Sequence, residues 1–328
     1  MRIDVSRALL SLRPAIVEDV IAGWEPVRAL GERGVRFCEQ DVQYHLENLA
    51  TAVALGTPSL FSAYATWTKD VLAARAVPGD CVRVGLEALR RGVAGASLEE
   101  GARAAALEAI DLALRATDAG LAEAPAARTV PDGFQLSVTG DRQALLDLVC
   151  RWQAEGGVAY ALRQVARVQN EVGEAWLRNE ISVAQEHRAT ALAQLALSLL
   201  APHTAGAPGP RPRGRAVVCC AEGDWHAVGP RIAADLLELE GFEVEFLGAN
   251  TPVSELLGSC REVRPALVGI GCAPLAALPA ARAAAEAVRR ELPTTRVVVG
   301  GRAARIAGAE PLGADRVVPQ DFDGRFLA

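Results

Sequence analysis

The sequence predicts a multidomain protein of the α and α/β classes, in which two all-helical segments precede a doubly wound parallel α/β domain. Three observations carry that expectation. Apolar residues recur three and four positions apart through most of the first 200 residues. Two stretches rich in Ala, Pro and Gly interrupt that pattern, and from Arg215 onward short apolar runs alternate with helical ones.

Composition narrows the class. At 328 residues the chain can build two or three cores. No apolar run approaches about 18 residues without a charge or a break. The N-terminus, "MRIDVSRALLSLRPAIVEDV", mixes both charge signs, so neither a membrane span nor a signal peptide is expected, and a cytoplasmic location is. Cys38, Cys81, Cys150, Cys219, Cys220, Cys260 and Cys272 are scattered without a C-x-x-C pair, which argues against a disulfide framework or a zinc site. A formal charge of -6 and the lack of a basic block give no footprint for nucleic acid. Lys69 is the only lysine, and the many arginines read as the bias of a GC-rich genome rather than as anion binding.

The elements follow in order. Residues 1–124 read as successive helices, with "TPSLFSAYATWTKDVLAARAV" and "SLEEGARAAALEAIDLALRATDAGL" the clearest, and make an all-helical domain of globin-like size. "APAARTVPDG" then breaks the pattern. Residues 135–203 are a second helical segment, expected to form a bundle. Within its "GEAWLRNEISVAQEHRATALAQLAL", Ser182 and Gln185 make an S-x-x-Q capping box, so a helix should begin at Ser182 with Asn179 and Glu180 in the turn before it. Trp176 then ends one helix while Glu186 and His187 open the next, and all three can face one pocket. "HTAGAPGPRPRG" reads as a linker.

Residues 214–328 carry the apolar runs "RAVVCCA", "FEVEFLG", "ALVGIGCA", "RVVVGG" and "DRVVP", separated by helical stretches. Strands apolar on both faces and joined by helices indicate a parallel sheet covered on each side. A ligand belongs at the C-terminal ends of such strands, where "GDWHAVG", "GIGCAP" and "VGGRA" fall. The first of these loops lacks the G-x-G-x-x-G of a dinucleotide site. It sets Asp224 two residues before His226 instead, so that the acid can accept one ring N–H while the other nitrogen stays free as a metal ligand. Gly229 opens the next helix without a side chain in the way. The plainer alternative is that Asp224 and His226 merely cap that helix.

D-x-H-x-x-G after the first strand, with Gly-Gly after the fourth, resembles the flavodoxin-like (Rossmann-like) cobalamin-binding fold of methionine synthases, corrinoid proteins, mutases and light-sensing cobalamin repressors. The resemblance implies that His226 is the lower axial ligand of cobalt, in place of the cofactor's own benzimidazole, and that Asp224 is the partner of that histidine. It implies further that Trp225, Val228 and Gly229 line the same loop, and that Gly300 and Gly301 make room for the displaced nucleotide tail. Where the family has serine after the third strand this chain offers Gly271 or Cys272, a departure that bears on the hydrogen bond to the tail base.

Tryptophan followed after nine residues by Glu-His, just ahead of such a domain, resembles the CarH-type light-sensing repressors. That likeness implies Trp176 packed on an adenosyl group above cobalt, Glu186 accepting its hydroxyl hydrogen bonds and His187 beside them, hence adenosylcobalamin as cofactor. Two departures stand out. Leu177 occupies the place of the histidine that takes the vacated cobalt site in those repressors, and no MerR-type DNA reader precedes the bundle, so no DNA binding is expected. The alternative is that Trp176 fills a bundle core and Glu186 is a solvated first-turn acid.

A helical domain ahead of bundle and cobalamin fold resembles the photocobilins, which pair cobalamin with biliverdin. A bilin needs a flat apolar slot with polar and cationic rims. Tyr44, His45, Phe61, Tyr64 and Trp67 lie on two adjacent helices and offer one. His45 shares a face with Cys38, Val42 and Leu49, so it points inward, either as a satisfied core residue or as a haem ligand. Cys38 or Cys81 is a candidate covalent bilin anchor, against the reading of a plain buried thiol. The expectation is a non-enzymatic light sensor in which photolysis of the cobalt–carbon bond rearranges domains. Its output would pass through a homo-oligomer or a separate effector, since the chain ends soon after the last strand at "QDFDGRFLA". The rivals are a corrinoid carrier of a methyltransferase system, and a haem or bilin sensor with a vestigial cobalamin domain.

Overall fold

The structure is a computed structural model that describes residues 2–118, 130–204 and 212–320. The chain forms two compact units, Met1–Glu123 and Ala124–Ala328. Much of the two interrupting stretches, and all but the first residue of "QDFDGRFLA", lie outside the described residues.

The first unit is helical throughout its described residues: α1 (Arg2–Leu10), α2 (Arg13–Gly23), α3 (Glu25–Ala29), α4 (Glu32–Leu55), α5 (Ser59–Ala74), α6 (Cys81–Gly95) and α7 (Glu100–Asp118). Prolines in the first turn start α2 and α3, where the missing N–H costs nothing. Gly56 ends α4 in the left-handed conformation (φ 65°), its N–H returning to Ala52 and Val53 carbonyls. On α4, Cys38, Val42, His45, Leu46 and Leu49 turn inward at helical spacing, against Leu60, Phe61 and Tyr64 of α5 and Val82, Leu86 and Leu89 of α6, all buried.

The second unit opens with the bundle helices α8 (Phe134–Thr139), α9 (Arg142–Leu177) and α10 (Val183–Leu200). α9 is broken at Gly157, whose φ of 77° no β-carbon residue adopts readily. The bundle therefore presents four helical pieces. Asp141 caps α9 by accepting the Ala144 N–H, and Ser182 caps α10 in the expected reciprocal box with Gln185.

The α/β layer alternates β1 (Gly214–Ala221), α11 (Val228–Leu239), β2 (Phe242–Thr251), α12 (Val253–Val263), β3 (Leu267–Gly271), α13 (Leu278–Glu291), β4 (Arg296–Gly300), α14 (Arg302–Ala307) and β5 (Arg316–Val317). The strands are parallel in the order β2-β1-β3-β4-β5. Strand order reverses between β1 and β3, the place where open parallel sheets bind their ligands. β1 and β3 are buried on both faces, as their apolar runs require; β2 is not, because it is the edge strand and turns Glu243 and Glu245 to solvent.

α11 joins the two layers. Its Ala234 and Leu237 pack with Val218, Leu267 and Val298 of the sheet. On another face Ile232 and Leu236 belong to the core of the bundle, with Val172, Ala175 and Ile181. The bundle is thereby seated on the helix that starts at the Asp224–His226 loop.

Candidate functional site: an exposed imidazole held by a buried carboxylate

The loop after β1 is fixed from several directions. Gly223 (φ 83°) turns the chain and donates its N–H to Asn250 Oδ1 at 2.7 Å, while the Asn250 N–H reaches the Asp224 carbonyl at 2.8 Å. Asp224 is 1% exposed. Its Oδ1 accepts from the His226 N–H at 2.9 Å and lies 2.7 Å from His226 Nδ1; its Oδ2 accepts from the Ala273 N–H at 2.8 Å. A buried carboxylate survives only when its lone pairs are matched, and charge-assisted bonds of this kind contribute about 1.5–3 kcal/mol each. Asp224 thus ties the β1 loop to the β3 loop, and α11 instead has Ala227 at its N-cap with no side-chain bond. The plain helix-cap alternative fails.

The consequence for His226 is a defined tautomer. A carboxylate only accepts, so Nδ1 carries the proton and Nε2 keeps its lone pair. The side chain is 69% exposed, at the C-terminal end of β1. The hydrogen bond to Asp224 raises the ring's pKa, against the opposing effect of desolvation; the negative charges of Asp224 and of Glu186 on α10 also raise it. No cluster of three or more His, Cys, Asp or Glu suited to an ion occurs among the described residues. The donor set fits one axial bond to a metal that brings its own equatorial ligands, as a corrin does.

The other expected residues divide. Trp176 and Val228 are half-buried against the same bundle core. Glu186 is half-buried and accepts the Thr190 hydroxyl at 2.8 Å. His187 stands in solvent, 74% exposed and 3.7 Å from the Glu186 carboxylate, because adjacent positions on a helix point about 100° apart and Glu186 takes the inward one. Trp225 is 73% exposed. Gly229 meets nothing where a β-carbon would stand.

The glycines at the ends of β3 and β4 are shaped by the chain's own packing. A β-carbon on Gly301 (φ 98°) would lie 2.3 Å from the Cys272 carbonyl oxygen, and one on Gly271 would lie 2.4 Å from Pro230 Cγ. On Gly300 it would make ordinary contact with Val318 at 3.4 Å. The room at Gly301 is taken by the protein's own backbone, which closes the β3 and β4 loops on each other through the Cys272 N–H to Gly300 carbonyl bond of 2.7 Å. Cys272 is buried with Sγ 3.6 Å from the Pro274 carbonyl, and burial pushes its thiol pKa far up.

In the first unit His45 is buried, its Nδ1 2.8 Å from the Tyr64 hydroxyl. A β-carbon on Gly85 would lie 3.1 Å from His45 Nε2, so that nitrogen abuts α6. Neither nitrogen leaves room for a haem plane. Phe61 and Tyr64 stack at 5.8 Å, and Trp67 follows at 6.4 Å from Tyr64. Tyr44 is not part of this group: it is 47% exposed and bonded to Gln40, since its neighbour His45 occupies the inward position. Burial pushes Cys38 up to about 11 and Cys81 up to about 12, which disfavours the thiolate a covalent anchor would need.

Residues 214–324 match the family described as the B12 binding domain, and residues 134–201 match a second B12 binding domain family. The chain carries B12-binding domains, then, in the bundle and in the α/β layer. The chain is 35% identical over 126 residues to the HTH-type transcriptional repressor CarA of Myxococcus xanthus, covering 38% of this chain and 42% of that protein. It is 31% identical over 96 residues to dimethylamine corrinoid protein 1 of Methanosarcina acetivorans, covering 29% and 45%. The chain spans about half the length of the curated relatives it matches. In fold it is similar to the monomethylamine corrinoid protein of Methanosarcina barkeri, with a TM-score of 0.50 and 18% identity over 58% of this chain and 92% of that one.

Asn250 and Ala273 were not singled out from the sequence. Asn250 has a faint signal in its residue type, since Asn tolerates the left-handed conformation it takes here at φ 48°, but Ala273 contributes only its backbone, which no residue type announces.

Proposed function

We propose that the protein is a light sensor rather than an enzyme, holding adenosylcobalamin between bundle and α/β layer with the cofactor's base displaced and His226 on cobalt. The observation that carries this reading is the Asp224–His226 pair, with Nδ1 fixed at 2.7 Å from the carboxylate, just ahead of a helix that packs on the bundle. His226 would hold the cofactor from beneath and Asp224 would keep its tautomer. Trp176 would shield the upper face, with Glu186 bonding to it. Adenosylcobalamin, when bound, supplies a cobalt–carbon bond that visible light breaks. Loss of the upper group would free Trp176 to resettle in the bundle core it already abuts, and so bias the bundle's contact with an effector or a second copy. With Leu177 beside it, no imidazole stands next to Trp176 to bond the metal afterwards.

Biliverdin as a second chromophore in the helical first unit belongs to the same reading. The aromatic group of buried Phe61 and Tyr64 with half-buried Trp67 supports it; exposed Tyr44 does not.

The test is the absorption spectrum of protein reconstituted with adenosylcobalamin, in darkness and after green or red light. A change on illumination is expected, and His226→Ala should lose the His-on spectrum; an unaltered spectrum rejects the sensor. The likeness to dimethylamine corrinoid protein 1 favours a second reading, a corrinoid carrier, which tighter retention of methylcobalamin than of adenosylcobalamin would support.

A further inference from the structure

The corner between α9 and α10 is held more firmly than a helix-turn-helix connection needs. Arg178, at the C-cap of α9, reaches three carboxylates at once. Its Nη2 donates to Glu171 Oε1 at 3.0 Å, its Nε to Glu180 Oε1 at 2.8 Å, and its Nη1 lies 3.8 Å from Glu174. Glu171 is buried, 8% exposed, and the guanidinium helps to balance its charge there. Asn179 takes the left-handed conformation at φ 58°, and the amides of Asn179 and Glu180 return to the Trp176 and Ala175 carbonyls at 3.0 and 2.9 Å. Ile181 is then anchored in the bundle core, and the Ser182–Gln185 box starts α10.

These bonds all bear on the few residues that separate Trp176 from Glu186. A turn fixed by ion pair, left-handed residue, core anchor and capping box leaves the last turn of α9 and the first turn of α10 one relative orientation.

We propose that Arg178 is a positioning residue for the upper face of the cofactor site: it sets Trp176 against Glu186, and so the size of upper group the site accepts. This rests on the adenosyl-binding reading above. Arg178 acts through the corner and touches no reacting atom.

The test uses full-length protein with Arg178→Met, Arg178→Lys and the double variant Glu171→Gln/Arg178→Met, which removes the buried charge at 171 together with the guanidinium should the single variant fail to fold. Dark titrations with adenosylcobalamin and methylcobalamin are read by absorbance, and amide hydrogen exchange is followed at Asn179 and Glu180. Arg178→Met and the double variant should bind adenosylcobalamin about tenfold more weakly with methylcobalamin binding and the His-on spectrum unchanged. Arg178→Lys should recover part of the loss, and exchange of the two amides should quicken about tenfold in the Met variants. Equal loss for both cobalamins, or loss for neither, overturns the proposal. Should wild-type protein not prefer adenosylcobalamin, the adenosyl reading fails, and unchanged exchange at the corner would separately overturn the clasp.

Discussion

The residues that decide this site are those whose polar atoms are all accounted for, and one that is not. Asp224 spends both oxygens on named donors and can remain an anion under the sheet edge. Asp235 is the contrast. It lies on the α11 stripe Val228, Ile232, Asp235, Leu239, whose apolar members pack on the bundle, and it is 2% exposed. Arg231 donates to Oδ1 at 2.9 Å, yet Oδ2 has no partner. Burial pushes the carboxyl up to about 6, opposed by Arg231 and assisted by Glu238. The folded state then holds the proton more tightly than the unfolded chain, so the stabilising protonated form is complete below about 4 and is lost as pH rises through about 6. Asp235→Asn should flatten that slope and raise stability at pH 7 by on the order of 1–3 kcal/mol, as urea unfolding at pH 4.5 and pH 7 would measure. A slope unchanged in the variant would assign the pH response elsewhere.

At the scale of elements, local rules were legible and packing glycines were not. The start of α10 followed from Ser182 and Gln185 alone, because a capping box is closed within four residues. The five strands followed from their apolar runs, although the half-solvated β2 reflects its edge position, which no run of residues reveals. Gly229 and Gly301 look alike in the sequence and differ in the fold. Gly301 combines a positive φ with a carbonyl 2.3 Å from any β-carbon, while Gly229 sits in α11 facing open space. Gly301→Ala should therefore cost on the order of 2–4 kcal/mol of stability by denaturant unfolding. Gly229→Ala should change stability by less than about 1 kcal/mol and instead weaken cobalamin binding. A destabilised Gly229→Ala protein with normal binding would reverse the assignment.

At the scale of the whole molecule, every residue assigned to cobalamin lies in the second unit, which has its own continuous core from the bundle through Ile232 and Leu236 of α11. A chain of residues 130–328 should therefore fold and bind cobalamin with the His-on spectrum. Its failure to do so, measured by absorbance after gel filtration, would make the first unit part of the site. None of the described helices is long and apolar enough to cross a membrane.

What the sequence by itself determined is what local periodicity and short spacing encode: helices from three- and four-residue recurrence, a parallel sheet from alternating strands and helices, and an acid placed to orient a histidine two residues on. The tertiary structure decided what depends on distant chain. Asp224 is held by a backbone amide 49 residues away, Ile232 and Leu236 of α11 join the bundle core, and His45 rather than Tyr44 turns inward. Such facts arise when helices and strands bury their faces against one another, and burial is a property of the packed pair rather than of either segment.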